Sequence, residues 1–74
     1  MSIHHFTGGE AEAQRAAVSN AKRFAQRFDV RYHVRRSGDR YAIGSELMLP
    51  HQFFEGREGI HVATVDVSGD VTWH

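Results

Sequence analysis

The chain has 74 residues and no cysteine. Disulfides and thiolate metal sites are therefore excluded. A domain this small buries a low fraction of its surface, so it must be held by packing, by a partner or by oligomerisation. Proline occurs once, at Pro50. No apolar run approaches the roughly 18 residues of a membrane span. Residues 1–5, Met-Ser-Ile-His-His, lack the basic and apolar regions of a signal peptide, so the expectation is a cytoplasmic protein without membrane contact. Linkers and low-complexity segments are missing, which makes residues 1–74 one domain. Catalytic motifs are missing too: there is no glycine-rich phosphate loop, nucleophile elbow or cysteine nucleophile. The serines at 2, 19, 37, 45 and 68 fall into no recognisable arrangement. A chain this short also has little room to enclose a pocket of a few hundred Å³. The sequence reads as a non-catalytic domain with no cofactor.

What is present is a folded composition with a divided charge. Hydrophobic residues make up 41% of the chain, including five Phe, two Tyr and one Trp, which argues against disorder. The formal net charge is zero. Between residues 15 and 40, however, eight basic residues face only Asp29 and Asp39, a local balance of +6. The remainder holds Arg57 against seven acids, a balance of −6. Such a dipolar chain points to electrostatic recognition of a charged partner.

The elements follow from periodicity. Ala13, Ala17, Val18, Ala21, Phe24, Ala25 and Phe28 recur at intervals of three and four, predicting an amphipathic helix over about residues 8–28. Thr7 and Glu10 have capping-box spacing at its start. The stripe is mostly alanine, with Phe24 and Phe28 as its large anchors, and Arg15, Ser19, Lys22, Arg23 and Gln26 occupy the opposite face. After Asp29 the period becomes two. Val30, Tyr32 and Val34 alternate with Arg31, His33 and Arg35, as in a half-buried strand. Ser37-Gly38-Asp39 turns the chain into Tyr41-Ala42-Ile43, and Ser68-Gly69-Asp70 repeats the turn between Thr64–Val67 and Val71–Trp73. Two hairpins with the same turn imply a four-stranded antiparallel sheet, or five strands if residues 3–6 join. Leu47-Met48-Leu49 extends the second strand or crosses the sheet, and a short helical turn fits at 50–55. The expected class is α+β, one N-terminal helix packed on a four- to five-stranded antiparallel sheet.

Candidate binding residues fall into three groups. Arg31, His33 and Arg35 share one strand face, and Lys22 and Arg23 lie on the helix. This basic surface is either a solvated face balanced by Glu46 and Asp66, a protein-binding surface or a nucleic-acid platform. Phe53 and Phe54, with Glu55 and Glu58 beside them, either close one end of the core or anchor a partner. Trp73 reads as packed in an edge strand, with a homodimer seam as its second reading. The six histidines, at 4, 5, 33, 51, 61 and 74, show no metal-ligand spacing and are read as scattered surface groups that could make binding sensitive to pH near 6.5.

Glu10 to Phe28, then Val30-Arg31-Tyr32-His33-Val34 and Gly38-Asp39-Arg40-Tyr41-Ala42-Ile43, resembles the small one-helix, antiparallel-sheet proteins of phages and mobile elements, among them type I anti-CRISPR proteins. The resemblance covers residues 8–44 and rests on size, element order and an alanine-rich helix feeding a basic strand. It implies a stoichiometric inhibitor, working in the host cytoplasm, that occupies a nucleic-acid-binding surface of a CRISPR effector complex. The alternative is a small nucleic-acid-binding or regulatory domain that uses the basic helix and strand directly.

Overall fold

Alanine at four of the five buried helix positions lets the helix lie close against a sheet. The computed structural model describes residues 4–6, 10–54 and 59–74, with the backbone alone at 4–6, 10, 50 and 51. Its elements run β1 (His4–Phe6), α1 (Glu10–Phe28), β2 (Tyr32–Ser37), β3 (Arg40–Ser45), a 3-10 turn (Pro50–Phe53), β4 (Ile60–Val65) and β5 (Val71–Trp73). The strands form one sheet in the order β1-β3-β2-β4-β5, with every neighbouring pair antiparallel. The α+β expectation is met. The helix begins at Glu10, and the capping position Thr7 lies outside the described residues.

One face of the sheet packs on α1. Ala13, Ala17, Val18, Ala21 and Ala25 are buried against Tyr32, Val34, Tyr41, Ile43, Ala63 and Val65, with Phe24 and Val30 at the margin. Phe28 departs from the expected anchor role and is 55% exposed. It sits at the helix end, stacked on Phe24 at 6.0 Å, with the Arg27 guanidinium 5.5 Å above its ring. The chain turns away immediately afterwards. Asp29 takes a left-handed φ of 53° and the Val30 amide donates to the Ala25 carbonyl at 3.3 Å. That is the Schellman way of ending a helix, with aspartate where glycine is usual. The periodic stripe therefore outruns the sheet by one residue.

The two hairpins do not share a turn. Gly38 and Asp39 form a two-residue loop with a positive φ at Gly38 alone, and Ser37 pairs with Arg40, the glycine-first geometry favoured in tight hairpins. The second connection runs from Asp66 to Asp70. It is closed by Asp66 N–H donating to Asp70 O and Gly69 N–H donating to Asp66 O, both at 2.8 Å, and Gln26 of α1 donates to Ser68 O at 3.1 Å.

β3 and β4 both flank β2, so the segment between them must cross β2. It crosses on the face away from α1. Leu47 and Leu49 do not extend β3; they are exposed in a turn, Leu47 at 74%. The turn delivers Phe53 and Phe54 onto the outer face, where they bury with Ala42 under Met48. Gly44 and Gly59 make room for them: a Cβ on Gly44 would come within 2.7 Å of Phe53, and one on Gly59 within 2.2 Å of Phe54. β3 is consequently covered on both faces, and every residue from Tyr41 to Ser45 is buried.

These positions reverse the ranking of the phenylalanines. Phe53→Ala should cost about 3–5 kcal/mol, the usual loss for a buried phenylalanine, while Phe28→Ala should cost under about 1 kcal/mol, as for exposed positions. Urea denaturation of the two variants checks this. Equal losses would place Phe28 in the core after all.

Candidate functional site

The nine residues singled out as partner-binding fall in separate places. Lys22 and Arg23 are exposed on the outer side of α1. Arg31 is exposed at the start of β2 and paired with Glu46 at 3.4 Å. Arg35 is half-buried: its Nη1 donates to Gly59 O at 3.0 Å and its guanidinium lies 5.5 Å over the Phe53 ring. Arg40 stands over Phe54 in the same way, at 5.7 Å. Arg35 and Arg40 thus clamp the crossing segment onto the sheet. Phe53 and Phe54, at 2% and 1% exposure, are core residues and not exposed anchors. The crossing turn that seats them is what removes them from solvent. Glu55 and Glu58 lie outside the described residues.

Two assemblies stand out from the scattered positions. The first is a groove of about 350 Å³ between α1 and the edge strand β5, lined by Arg15, Val18, Ser19, Lys22 and Trp73. Trp73 is in the edge strand as expected, but 56% exposed. Its register opposite Ala63 places it on the helix side of the sheet, where it forms one wall while α1 forms the other. Arg15, Ser19 and Lys22 follow each other at helical spacing along that wall. Arg31 pairs with Glu46, and the cations of α1 form no ion pair with an acid among the described residues.

The second assembly is on the outer face, beside the part covered by Phe53. The Thr64 hydroxyl lies 3.3 Å from His33 Nδ1, 3.1 Å from His61 Nε2 and 2.8 Å from His74 Nε2, and His33 Nδ1 is 3.1 Å from His61 Nε2. The His61 and His74 rings stack at 4.1 Å. His33 was singled out for its charge pattern, and its partners were not. His61 and Thr64 are three apart and in a regular strand would point to opposite faces. The β2–β4 register shifts between Val34 and Arg35, so that Val34 pairs with Ala63 and Arg35 with His61, leaving Val62 as the extra residue. Such a bulge re-aims the side chains beyond it and brings His61 round to the side of Thr64. His74 is held by its backbone N–H, which donates to Val62 O at 2.9 Å. No sequence signal announces this cluster, because it depends on a bulge and on pairing across three strands.

The cluster constrains protons. A neutral imidazole has one N–H and one acceptor nitrogen. His33 Nδ1 and His61 Nε2 can share a hydrogen bond only if one of them is bare, so both rings cannot be fully protonated in this arrangement. Burial holds the pKa of His33 below its ordinary value, helped by Arg35, Arg31 and His74 and opposed by Glu46. Burial likewise lowers His61, together with the neighbouring His74, His33 and Arg35, against a backbone hydrogen bond at Ala63.

Comparison with protein-family models, curated proteins and solved structures finds no match. No helix among the described residues is long and apolar enough to cross a membrane.

The lowered values of His33 and His61 fix the sign of the pH response. As pH falls below about 6.5, the ordinary value for histidine, the unfolded chain takes up protons before the folded one does. Stability therefore declines with falling pH until the folded-state values are passed. Thermal melts in chelator-containing buffer should show Tm dropping between pH 7.5 and 5.5, and dropping less when His33 and His61 are both replaced by glutamine. A double variant with an unchanged pH slope would locate the acid sensitivity elsewhere.

Proposed function

We propose that the protein is a non-catalytic binding module that engages an anionic surface of a larger partner through the outer side of α1 and the adjoining groove. One observation carries this reading: the cations of α1 border an exposed tryptophan and have no acidic partners among the described residues. A charged rim accelerates and orients association, while a partly exposed tryptophan supplies the apolar area that hot spots use. The acids of the β4–β5 loop are less available. Asp66 Oδ1 accepts from Val67 N–H at 2.7 Å, and Asp70 Oδ2 accepts from the Ser68 hydroxyl at 3.0 Å.

The finer proposal is that the partner is a CRISPR effector complex and the protein its stoichiometric inhibitor, encoded by a phage, with α1 meeting acidic protein or nucleic acid of that complex and not its basic channel. Its support is the resemblance in size and element order described above. A second reading is favoured by the same groove. A tryptophan flanked by an arginine and a lysine can stack a base while the cations meet its phosphates, so direct binding of single-stranded nucleic acid is the competing class.

Trp73 is the one tryptophan of the chain, which makes its fluorescence a reporter of the groove. The variant R15E/K22E/R23E should melt within a few degrees of the parent, since exposed charges contribute little to stability. It should also lose at least about tenfold in association rate with a purified type I effector complex. Trp73→Ala should weaken the same complex. If neither variant changes binding, the interface lies elsewhere. If the fluorescence instead responds to an oligonucleotide, with affinity falling steeply between 50 and 200 mM salt, the nucleic-acid reading replaces the protein one.

A further inference from the structure

β5 is an open edge of the sheet. It pairs with β4 alone, with Ala63 opposite Trp73, Thr64 opposite Thr72 and Val65 opposite Val71. Antiparallel neighbours exchange hydrogen bonds at every second residue. Here Asp70 O accepts from Asp66 N–H, and His74 N–H donates to Val62 O. That alternation aims the backbone groups of Asp70, Thr72 and His74 at β4. Those of Val71 and Trp73 therefore point away from the sheet, and no hydrogen bond among the described residues reaches them. Such a row of N–H and C=O groups is a template for a further strand. Proline and charged side chains, which usually blunt an edge, are missing from Val71-Thr72-Trp73.

We propose that β5 takes up an extended acidic segment of a protein partner as an added strand, with its acids facing α1. This rests on the groove interface proposed above and names the form of the partner. Main-chain hydrogen bonds to Val71 and Trp73 supply the attachment, and side chains at alternate positions supply the selection. Directly opposed residues of neighbouring strands share a face, so a residue added opposite Trp73 enters on the helix side, facing Arg15 and Lys22 across the indole. The direction of α1 fixes where the acids belong. Gln26 meets the β4–β5 loop at Ser68 O, so Lys22 and then Arg15 lie progressively farther from Asp66 and Asp70. Arg15 and Lys22 are about 10.5 Å apart along the helix. Acids at alternate strand positions are about 6.8 Å apart, a mismatch that long side chains absorb. A second copy of this chain fits the edge less well. Pairing two β5 strands about a two-fold axis sets two rows of α1 cations side by side.

The probe is the peptide acetyl-Glu-Val-Glu-Val-Thr-Val-Thr-amide, titrated into the intact chain. Trp73 fluorescence should change saturably, and exchange of the Val71 and Trp73 amide hydrogens, followed by NMR, should slow at least about tenfold at saturation. The same peptide with lysine for glutamate should not bind. Proline is tolerated on an edge strand where its nitrogen faces outward, so Val71→Pro should fold. It should weaken the acidic peptide at least about tenfold relative to Val71→Ala, which controls for the lost side chain. R15E/K22E should weaken it by a similar factor. Peptide binding that leaves both amides unprotected, with Val71→Pro equal to Val71→Ala, overturns strand addition while the groove interface stands. Equal binding of the glutamate and lysine peptides overturns the acidic partner. No response at millimolar peptide overturns the proposal, as does fluorescence that answers an oligothymidylate and not the peptide. Protection of both amides by raising the protein concentration alone would give the edge to a second copy, also against the proposal. The effector titration described above decides the groove interface separately.

Discussion

The outer face of the sheet is organised by the seating of Phe53 and Phe54 over Ala42, Gly44 and Gly59. Because β3 and β4 lie on either side of β2, the chain between them has to cross the sheet, and it needs anchors to stay seated on the outer face. The two rings supply the anchors. The absence of a side chain at Gly44 and Gly59 lets them approach, and Arg35 and Arg40 cover them from above. This one packing event fixes which half of the face is closed. The half that remains open carries His33, His61, Thr64 and His74.

The other face depends on small residues. Four buried alanines and Val18 bring α1 close to the sheet, so the large side chains of the inner core come chiefly from the strands. The cationic residues of α1, Arg15, Lys22, Arg23 and Arg27, fall outside the alanine stripe and are exposed. At the edge, β5 is only three residues long, and α1 extends beside it. The strip between them becomes the groove walled by Trp73. The separation of the two assemblies follows from this layering: cations and tryptophan on the helix side, imidazoles on the other.

Local pattern made much of this legible. The helix stripe from Ala13 to Ala25, the alternation through Tyr32 and Val34, and the glycine turns all obey short-range rules, and all led to the right elements. Phe28 was misread because periodicity cannot tell where the sheet beneath a helix stops. Phe53 and Phe54 left both core and interface open, with core the more usual place for such residues, since adjacent aromatics in a loop say nothing about which face the loop crosses. The histidine cluster was invisible for a stronger reason. Residues 33, 61, 64 and 74 meet only because β2, β4 and β5 pair in a particular register and because Val62 bulges out of it. Remove the bulge and His61 faces α1. Scattered histidines are the correct reading of the sequence and, for residues 33, 61 and 74, the wrong reading of the fold.

The central claim is that this bulge gathers three imidazoles on one hydroxyl. Long-range ¹⁵N–¹H correlation of the histidine side chains, combined with inter-ring NOEs at pH 7.5, tests it most directly. The account predicts that one, and not both, of His33 Nδ1 and His61 Nε2 carries a proton, with NOEs linking the rings of His33, His61 and His74. Three rings with the tautomer mixture of free imidazole and no contacts between them would contradict it.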